Sequence, residues 1–212
     1  MADTNYAYTD EEGVFLVKLA RKALTEKLTS DIEIDVPSDY PDKLNKVTGI
    51  FVTLRKYKVS HDSSLRGCIG MIEGREPIVA GAIHMALSAG LQDPRFPSVR
   101  PKELDNLIFE VTAMTPPKLI EAKDPGEIKA QIKIGRDGLI MQSGLRKGLL
   151  LPQVPVEQTP PWDVETFLEG TCRKAWLGKG CWKNPETKIF TFQGEIFEEI
   201  EPHGKVIRKK ID

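Results

Sequence analysis

The residue types best suited to chemistry stand together in Leu65-Arg66-Gly67-Cys68-Ile69-Gly70. A cysteine lies between two glycines, with an arginine two positions before it. A cation beside a thiol favours the thiolate, the form that attacks electrophiles. Glycine lets a backbone or a ligand come close. Cys68 is therefore the candidate nucleophile, and it needs a base within reach. The chain has three histidines, His61, His84 and His203. His61 precedes the motif and His84 follows it, so a cysteine–histidine pair is open. The other reading of Cys68 is a small apolar side chain packed in a strand. Residues two apart on a strand share a face, so Arg66 meets a phosphate or carboxylate wherever Cys68 meets a ligand. Its alternative is an ion pair with a carboxylate of the chain.

Asp93-Pro94-Arg95-Phe96 joins two opposite charges and an aromatic in a rigid turn. Arg95 suits an anion, and Asp93 suits a base or a group that orients Arg95. The plainer reading is a turn with an internal ion pair. Gln153 ends Gly148-Leu149-Leu150-Leu151-Pro152-Gln153 and presents an amide at a cleft edge or simply leaves a strand. The candidate ligand-binding set is thus Arg66, Gly67, Gly70, Asp93, Arg95, Phe96 and Gln153. Trp162, Trp176 and Trp182 either stack bases or pack in the core. Arg146-Lys147 reads as a solvated turn. Cys172 and Cys181 stand nine apart with no C-x-x-C and no histidine pair nearby, which does not suit a metal site. The cysteine spacing of a radical-SAM cluster, a Walker loop and a dinucleotide fingerprint are absent from the sequence. No metal and no cofactor are expected.

The chain of 212 residues carries a formal net charge of −1. That balance argues against a sequence-independent nucleic-acid binder, which needs many cations. No apolar run is long enough to span a bilayer, so no membrane partner is expected. Met1-Ala2-Asp3-Thr4-Asn5 lacks the basic and apolar regions of a secretory signal. Three cysteines, an odd count, suit a reducing compartment. A cytoplasmic location is the expectation.

The elements that must position these residues follow from periodicity. Thr9-Asp10-Glu11-Glu12 is a capping box. Apolar residues at Phe15, Leu16, Leu19, Ala20, Ala23 and Leu24 predict a helix to about Leu28. Residues 30–46 read as a loop. Gly49–Leu54 and Leu65–Gly70 predict a hairpin with a loop of four or five residues around His61-Asp62-Ser63-Ser64. Pro77 opens a second helix with a small-residue stripe, which stops by Gln92 because Pro94 disfavours helix at Asp93. Leu107–Met114 is a third strand. Ile132–Ile134, Leu139–Gln142 and Gly148–Leu151 are short strands. Asp163 caps a third helix, ended by Gly178. Ile189–Phe197 is the last long strand, and Lys205–Lys210 is a basic, frayed tail. Three main helices among strands without βαβ spacing predict an α+β fold with a largely antiparallel sheet.

Several of these strings occur in one order: Gly49-Ile50-Phe51-Val52-Thr53-Leu54, the cysteine motif, Asp93-Pro94-Arg95-Phe96, Gly148–Val154, then Trp162, Phe167-Leu168 and Cys172-Arg173-Lys174-Ala175. In this the chain resembles the AMMECR-domain family, named after a contiguous-gene deletion region that includes Alport syndrome and elliptocytosis. The resemblance covers about 9–201 as a single domain. It implies a larger lobe, here about 9–120 with 163–201, a smaller β-rich lobe of about 121–162, and a tail at 202–212. The family's signature cysteine and arginine map to Cys68 and Arg66. A glycine is expected where this chain has Trp176. The resemblance also implies nucleic-acid or nucleotide binding and the company of a Memo-like or radical-SAM protein. Three functions follow: a binding or adaptor module for an anionic ligand such as a nucleotide, RNA or peptide; a thiol-dependent enzyme using Cys68; or a protein-interaction scaffold whose motif is architectural.

Overall fold

The computed structural model describes residues 8–156 and 158–209, with no side-chain description for His61 and Asp62. The chain divides into two compact units. One takes the chain up to Met114 and again from Glu195; the other is Thr115–Gly194.

In the first unit, helix α1 (Asp10–Ser30) starts at the expected capping box. The Thr9 hydroxyl accepts the Glu12 N–H at 3.2 Å, and the Glu12 carboxylate accepts the Thr9 N–H at 2.7 Å. Its stripe of Leu16, Leu19, Ala20, Ala23 and Leu24 is buried. Strands β1 (Ile50–Lys56) and β2 (Leu65–Met71) form the expected antiparallel pair. Their connection is longer than expected and holds one helical turn, α2 (His61–Ser64). Helix α3 (Ile78–Leu91) follows, and β3 (Leu107–Met114) pairs antiparallel with the other edge of β1. The five-stranded sheet is completed by β8 (Gly194–Glu199) and β9 (Val206–Lys209), in the order β2-β1-β3-β8-β9. Period-two alternation sends Ile50, Val52, Leu54, Phe109, Val111 and Phe197 into one core with α1 and α3. Thr53 and Glu110 therefore lie on the other face.

The second unit holds a four-stranded sheet of β4 (Lys118–Leu119), β5 (Gly138–Ser143), β6 (Arg146–Leu150) and β7 (Lys188–Phe192), ordered β4-β7-β5-β6 with antiparallel pairs. Helix α5 (Val164–Lys174) is capped by Asp163, whose Oδ1 accepts the Thr166 N–H at 2.8 Å. Its Phe167, Leu168 and Cys172 share a core with Leu139 and Met141. Residues 163–194 thus belong with this unit rather than with the larger lobe expected from the sequence, because the apolar face of α5 needs the second sheet.

The expected last strand, Ile189–Phe197, is two strands, β7 and β8, in different sheets, and three further local expectations are corrected. Ile132–Ile134 is a turn, not a strand: the Lys133 carbonyl accepts the N–H of Arg136 and Asp137, and Asp137 returns a bond to the Lys133 N–H at 2.8 Å. A short helix, α4 (Pro125–Ala130), precedes it, capped by Asp124. The tail is not frayed over 206–209. There β9 pairs with β8, and Arg208 donates to Asp10, Glu195 and the Tyr8 carbonyl; Lys210 lies outside the described residues.

The end of α5 is the third correction. It stops at Lys174 with Ala175 as its C-cap, not at Gly178, and Trp176 adopts φ +57°. The Leu177 N–H reaches the Cys172 carbonyl at 2.9 Å and the Trp176 N–H reaches Arg173 at 3.0 Å. This is the Schellman closure whose left-handed position favours glycine, which gives the glycine expected there its physical reason. The indole is 84% exposed, so packing does not offset the strain. Trp176→Gly is expected to stabilise the fold by about 0.5–1 kcal/mol. In thermal unfolding the midpoint should rise by about 1–4 °C; a lower midpoint would mean the indole contributes packing. Cys172 and Cys181 form a disulfide across this turn, with Cα atoms 5.9 Å apart. Of the three cysteines only Cys68 is a free thiol.

Candidate functional site

Cys68 sits in the middle of β2, opposite Thr53 in the register. The Thr53 hydroxyl lies 3.3 Å from the sulfur and donates to it. Thr53 in turn faces Glu110 on β3. A thiol, a hydroxyl and a carboxylate therefore stand in one row across three strands, on the face away from the helices. Glu110 is buried, with Arg55 Nε at 3.9 Å and Lys209 Nζ at 3.4 Å from its Oε2. Lys209 also bonds Glu198 at 3.2 Å. Arg55 Nε is buried and has no hydrogen-bond partner among the described residues. Cys68 itself is half-buried, so it is neither sealed in the core nor fully open.

The turn after α3 is locked onto the cysteine. β2 is an edge strand, and at Cys68 its outer edge is occupied by side chains instead of another strand. The Cys68 N–H donates to Asp93 Oδ2 at 2.8 Å, and Arg95 Nη2 donates to the Cys68 carbonyl at 3.1 Å. Arg95 also grips Asp93, through Nε at 2.9 Å and Nη2 at 2.7 Å. Asp93 is buried, whereas the Arg95 side chain is 53% exposed. The guanidinium beside Asp93 holds its carboxyl well below the usual carboxylate range, with the Cys68 and Arg95 N–H groups adding to the effect against burial. Phe96 is half-buried under the Arg95 guanidinium, 5.5 Å from ring centre to carbon. The plainer reading of this turn, an internal ion pair, is realised, and the pair adjoins the Cys68 peptide.

Other candidates fall elsewhere. The register skips Arg66, because Leu54 faces Gly67 while Arg55 faces Leu65. This bulge breaks the alternation that would tie Arg66 to the face of Cys68. Arg66 is buried and donates to Glu103 through Nε at 2.8 Å and Nη2 at 3.2 Å, which draws the Glu103 carboxyl below its ordinary range. The ion-pair reading of Arg66 holds. Gly67 and Gly70 leave no room for a side chain: a Cβ at Gly67 would lie 2.1 Å from the Ala89 carbonyl oxygen, and one at Gly70 2.3 Å from the Phe51 ring. Gln153 belongs to the second unit, half-buried in a turn where its carbonyl accepts the Val156 N–H. His84 is exposed and bonds Glu76 at 2.8 Å, and His203 bonds Asp105 at 3.1 Å. The side chain of His61 lies outside the described residues, so a partner from that histidine is not part of the geometry.

The three tryptophans part company. Trp182 is buried and donates to Glu169 at 2.9 Å, Trp162 packs over Gly170, and only Trp176 is bare. Among the described residues no group of three or more His, Cys, Asp or Glu side chains is placed to hold a metal ion. No helix among them is long and apolar enough to cross a membrane.

Thr53, Arg55 and Glu110 were missed by the sequence reading. Their signal is the polar half of the alternation in β1 and β3, which becomes a row only once β1 is known to lie between β2 and β3.

Comparison with known proteins follows the same span as this fold. A family model described as AMMECR1 matches residues 17–197. A protein of Thermococcus gammatolerans is 49% identical over 97% of this chain and 99% of its own length. Protein MJ0810 of Methanocaldococcus jannaschii is 46% identical over 96% of this chain and 98% of its own. The crystal structure of the uncharacterized protein PH0010 from Pyrococcus horikoshii superposes with a TM-score of 0.80 at 48% identity, covering 97% of this chain and all of that one. With the model spanning both units and relatives nearly half identical from end to end, the chain belongs to the AMMECR1 family.

Proposed function

We infer that the protein is a binding module that takes an anionic group, a phosphate or a carboxylate, beside Cys68. The observation that carries this reading is the state of Arg95. Asp93 holds one edge of the guanidinium against the Cys68 peptide, and half of the side chain remains in water. Its Nη1 has no described partner and can donate to a ligand. Because Asp93 cancels the charge, attraction comes from donor geometry rather than from net field, which suits a group such as a nucleotide phosphate, an RNA phosphate or a peptide terminus. Arg66, spent on Glu103, is a positioning residue for the strand rather than a contact.

The test is thermal stabilisation by a panel of nucleotides, short RNAs and peptides. A ligand at one hundred times its Kd adds about 2.7 kcal/mol. Arg95→Ala is expected to remain folded, since its side chain is half in solvent, and to lose that stabilisation. A panel that never shifts the midpoint, or an Arg95→Ala protein that shifts like the wild type, overturns the reading.

A thiol-dependent enzyme is the second reading, favoured by the Thr53 hydroxyl directed at the sulfur. On this reading the enzyme acts with a radical-SAM and a Memo-like partner, and any radical chemistry belongs to the radical-SAM protein, since the cysteine spacing of its cluster is absent from this sequence.

A further inference from the structure

Two turns of the second unit carry large apolar side chains that no described residue covers. Leu145, between β5 and β6, is fully bare, and Trp176, after α5, is 84% exposed. The turns are neighbours: Arg146 Nη1 donates to the Trp176 carbonyl at 3.0 Å. Behind them the strand and the helix end touch, for a Cβ on Gly148 would lie 2.2 Å from the Ala175 nitrogen. Around the two apolar side chains stand Arg146, Arg173, Lys174 and Lys179, all exposed. None of these four is in an ion pair among the described residues, and the carboxylate that acts on one of them is Glu169, bonded to the Gly180 N–H beside Lys179. Neither 143–156 nor 170–185 contains an Asp or Glu. The Cys172–Cys181 disulfide closes the loop that holds Trp176. A left-handed backbone that thrusts an indole into water is a strained feature of the kind that points to function.

We propose that this surface docks on an anionic lipid bilayer. Trp176 and Leu145 enter the interfacial layer, where an indole is favoured, and the four cations lie over anionic headgroups. The expectation of no membrane partner rested on span length, and a surface that lies on a bilayer needs no span. A single-stranded nucleic acid would stack on the indole and pair its phosphates with the cations. It would leave Leu145 bare, and neither turn carries the Asn or Gln that reads base edges. A second copy of the chain would bring like charges face to face.

The experiment is co-sedimentation of the full chain with vesicles of phosphatidylcholine containing about 30% phosphatidylglycerol, or none, at low and high salt. Binding to the anionic vesicles is expected to be at least about tenfold tighter and to weaken with salt. Trp176→Gly and Leu145→Ser should each reduce it several-fold. Because Trp176→Gly is expected to raise the melting midpoint, its loss of binding cannot be loss of fold. Emission from Trp176 should shift to the blue on binding, a shift absent in Trp176→Gly. The proposal is overturned if the wild type does not sediment with anionic vesicles. It is equally overturned if both variants bind as the wild type does, or if a single-stranded oligonucleotide binds at Trp176 while vesicles do not.

Discussion

Arg21→Ala is expected to lower stability by about 3–5 kcal/mol, the cost of leaving a buried charge without its partner. Arg21 projects from α1 into the core of the first unit and is buried. It forms a two-pronged ion pair with Glu199 on β8, with Nε at 2.5 Å from Oε1 and Nη2 bonded to Oε2. Nη2 also donates to the Leu107 carbonyl at 2.6 Å, and Nη1 to Leu104 at 3.3 Å. Glu199 uses its remaining capacity on the Phe109 N–H at 2.9 Å. One side chain thus ties α1 to β8 and to the start of β3, and its removal leaves a carboxylate and two carbonyls in a low-dielectric interior. Against a total stability of about 5–15 kcal/mol, the melting midpoint should fall by roughly 10 °C or more. Replacing both Arg21 and Glu199 with apolar residues of similar volume should recover much of the loss. A single variant that melts within a degree of the wild type would show the pair to be solvated.

Asp93→Ala is the next largest, at about 2–4 kcal/mol. The buried carboxylate accepts the Cys68 N–H and the Arg95 N–H and holds the Arg95 guanidinium. Alanine removes all three and leaves the edge of β2 open at the cysteine. The same contacts make stability depend on pH. The folded carboxyl titrates below its unfolded value, which is about 3.9 for an aspartate. Its contribution is therefore complete above pH 4 and is lost as pH falls through that value toward the folded one. Glu103, held down by Arg66, acts in the same direction. Urea unfolding of the wild type should show a steep loss between about pH 4 and pH 2, and Asp93→Ala should flatten that limb. An acid limb of unchanged steepness in the variant would place the pH dependence on other carboxyls.

Much of the frame was legible in the residues because local rules and tertiary packing agree. The Thr9 box, the 3.6-residue stripe of α1 and the alternation of β1 and β3 each state their own burial. The misses have physical causes. Ile132 and Ile134 look like a strand because both are apolar anchors, yet Asp137 folds the segment back on itself. Strand β9 is too short and basic to announce itself, and it exists because β8 offers an edge and Arg208 finds Asp10 and Glu195. The end of α5 hid because a tryptophan occupies a conformation that suits glycine.

The site was legible in part. Asp93 and Arg95 lie 25 and 27 residues beyond Cys68 in sequence and meet it in the fold. The turn chemistry of Asp-Pro-Arg named them without saying what they would touch. The pairing of Arg66 with Cys68 failed because one extra residue in β2 is invisible to a period-two count. The row of Cys68, Thr53 and Glu110 needed the strand order, which no single strand encodes.

An anion site beside Cys68 requires a thiol that ligands can reach next to a fixed guanidinium. With Cys172 and Cys181 joined, alkylation by iodoacetamide under non-reducing conditions reads Cys68 alone. The native protein should be modified at Cys68, within roughly tenfold of the rate in denaturant, as expected of a half-exposed thiol. A ligand that raises the melting midpoint should slow the reaction. A Cys68 that stays unmodified until the protein is unfolded would contradict the account.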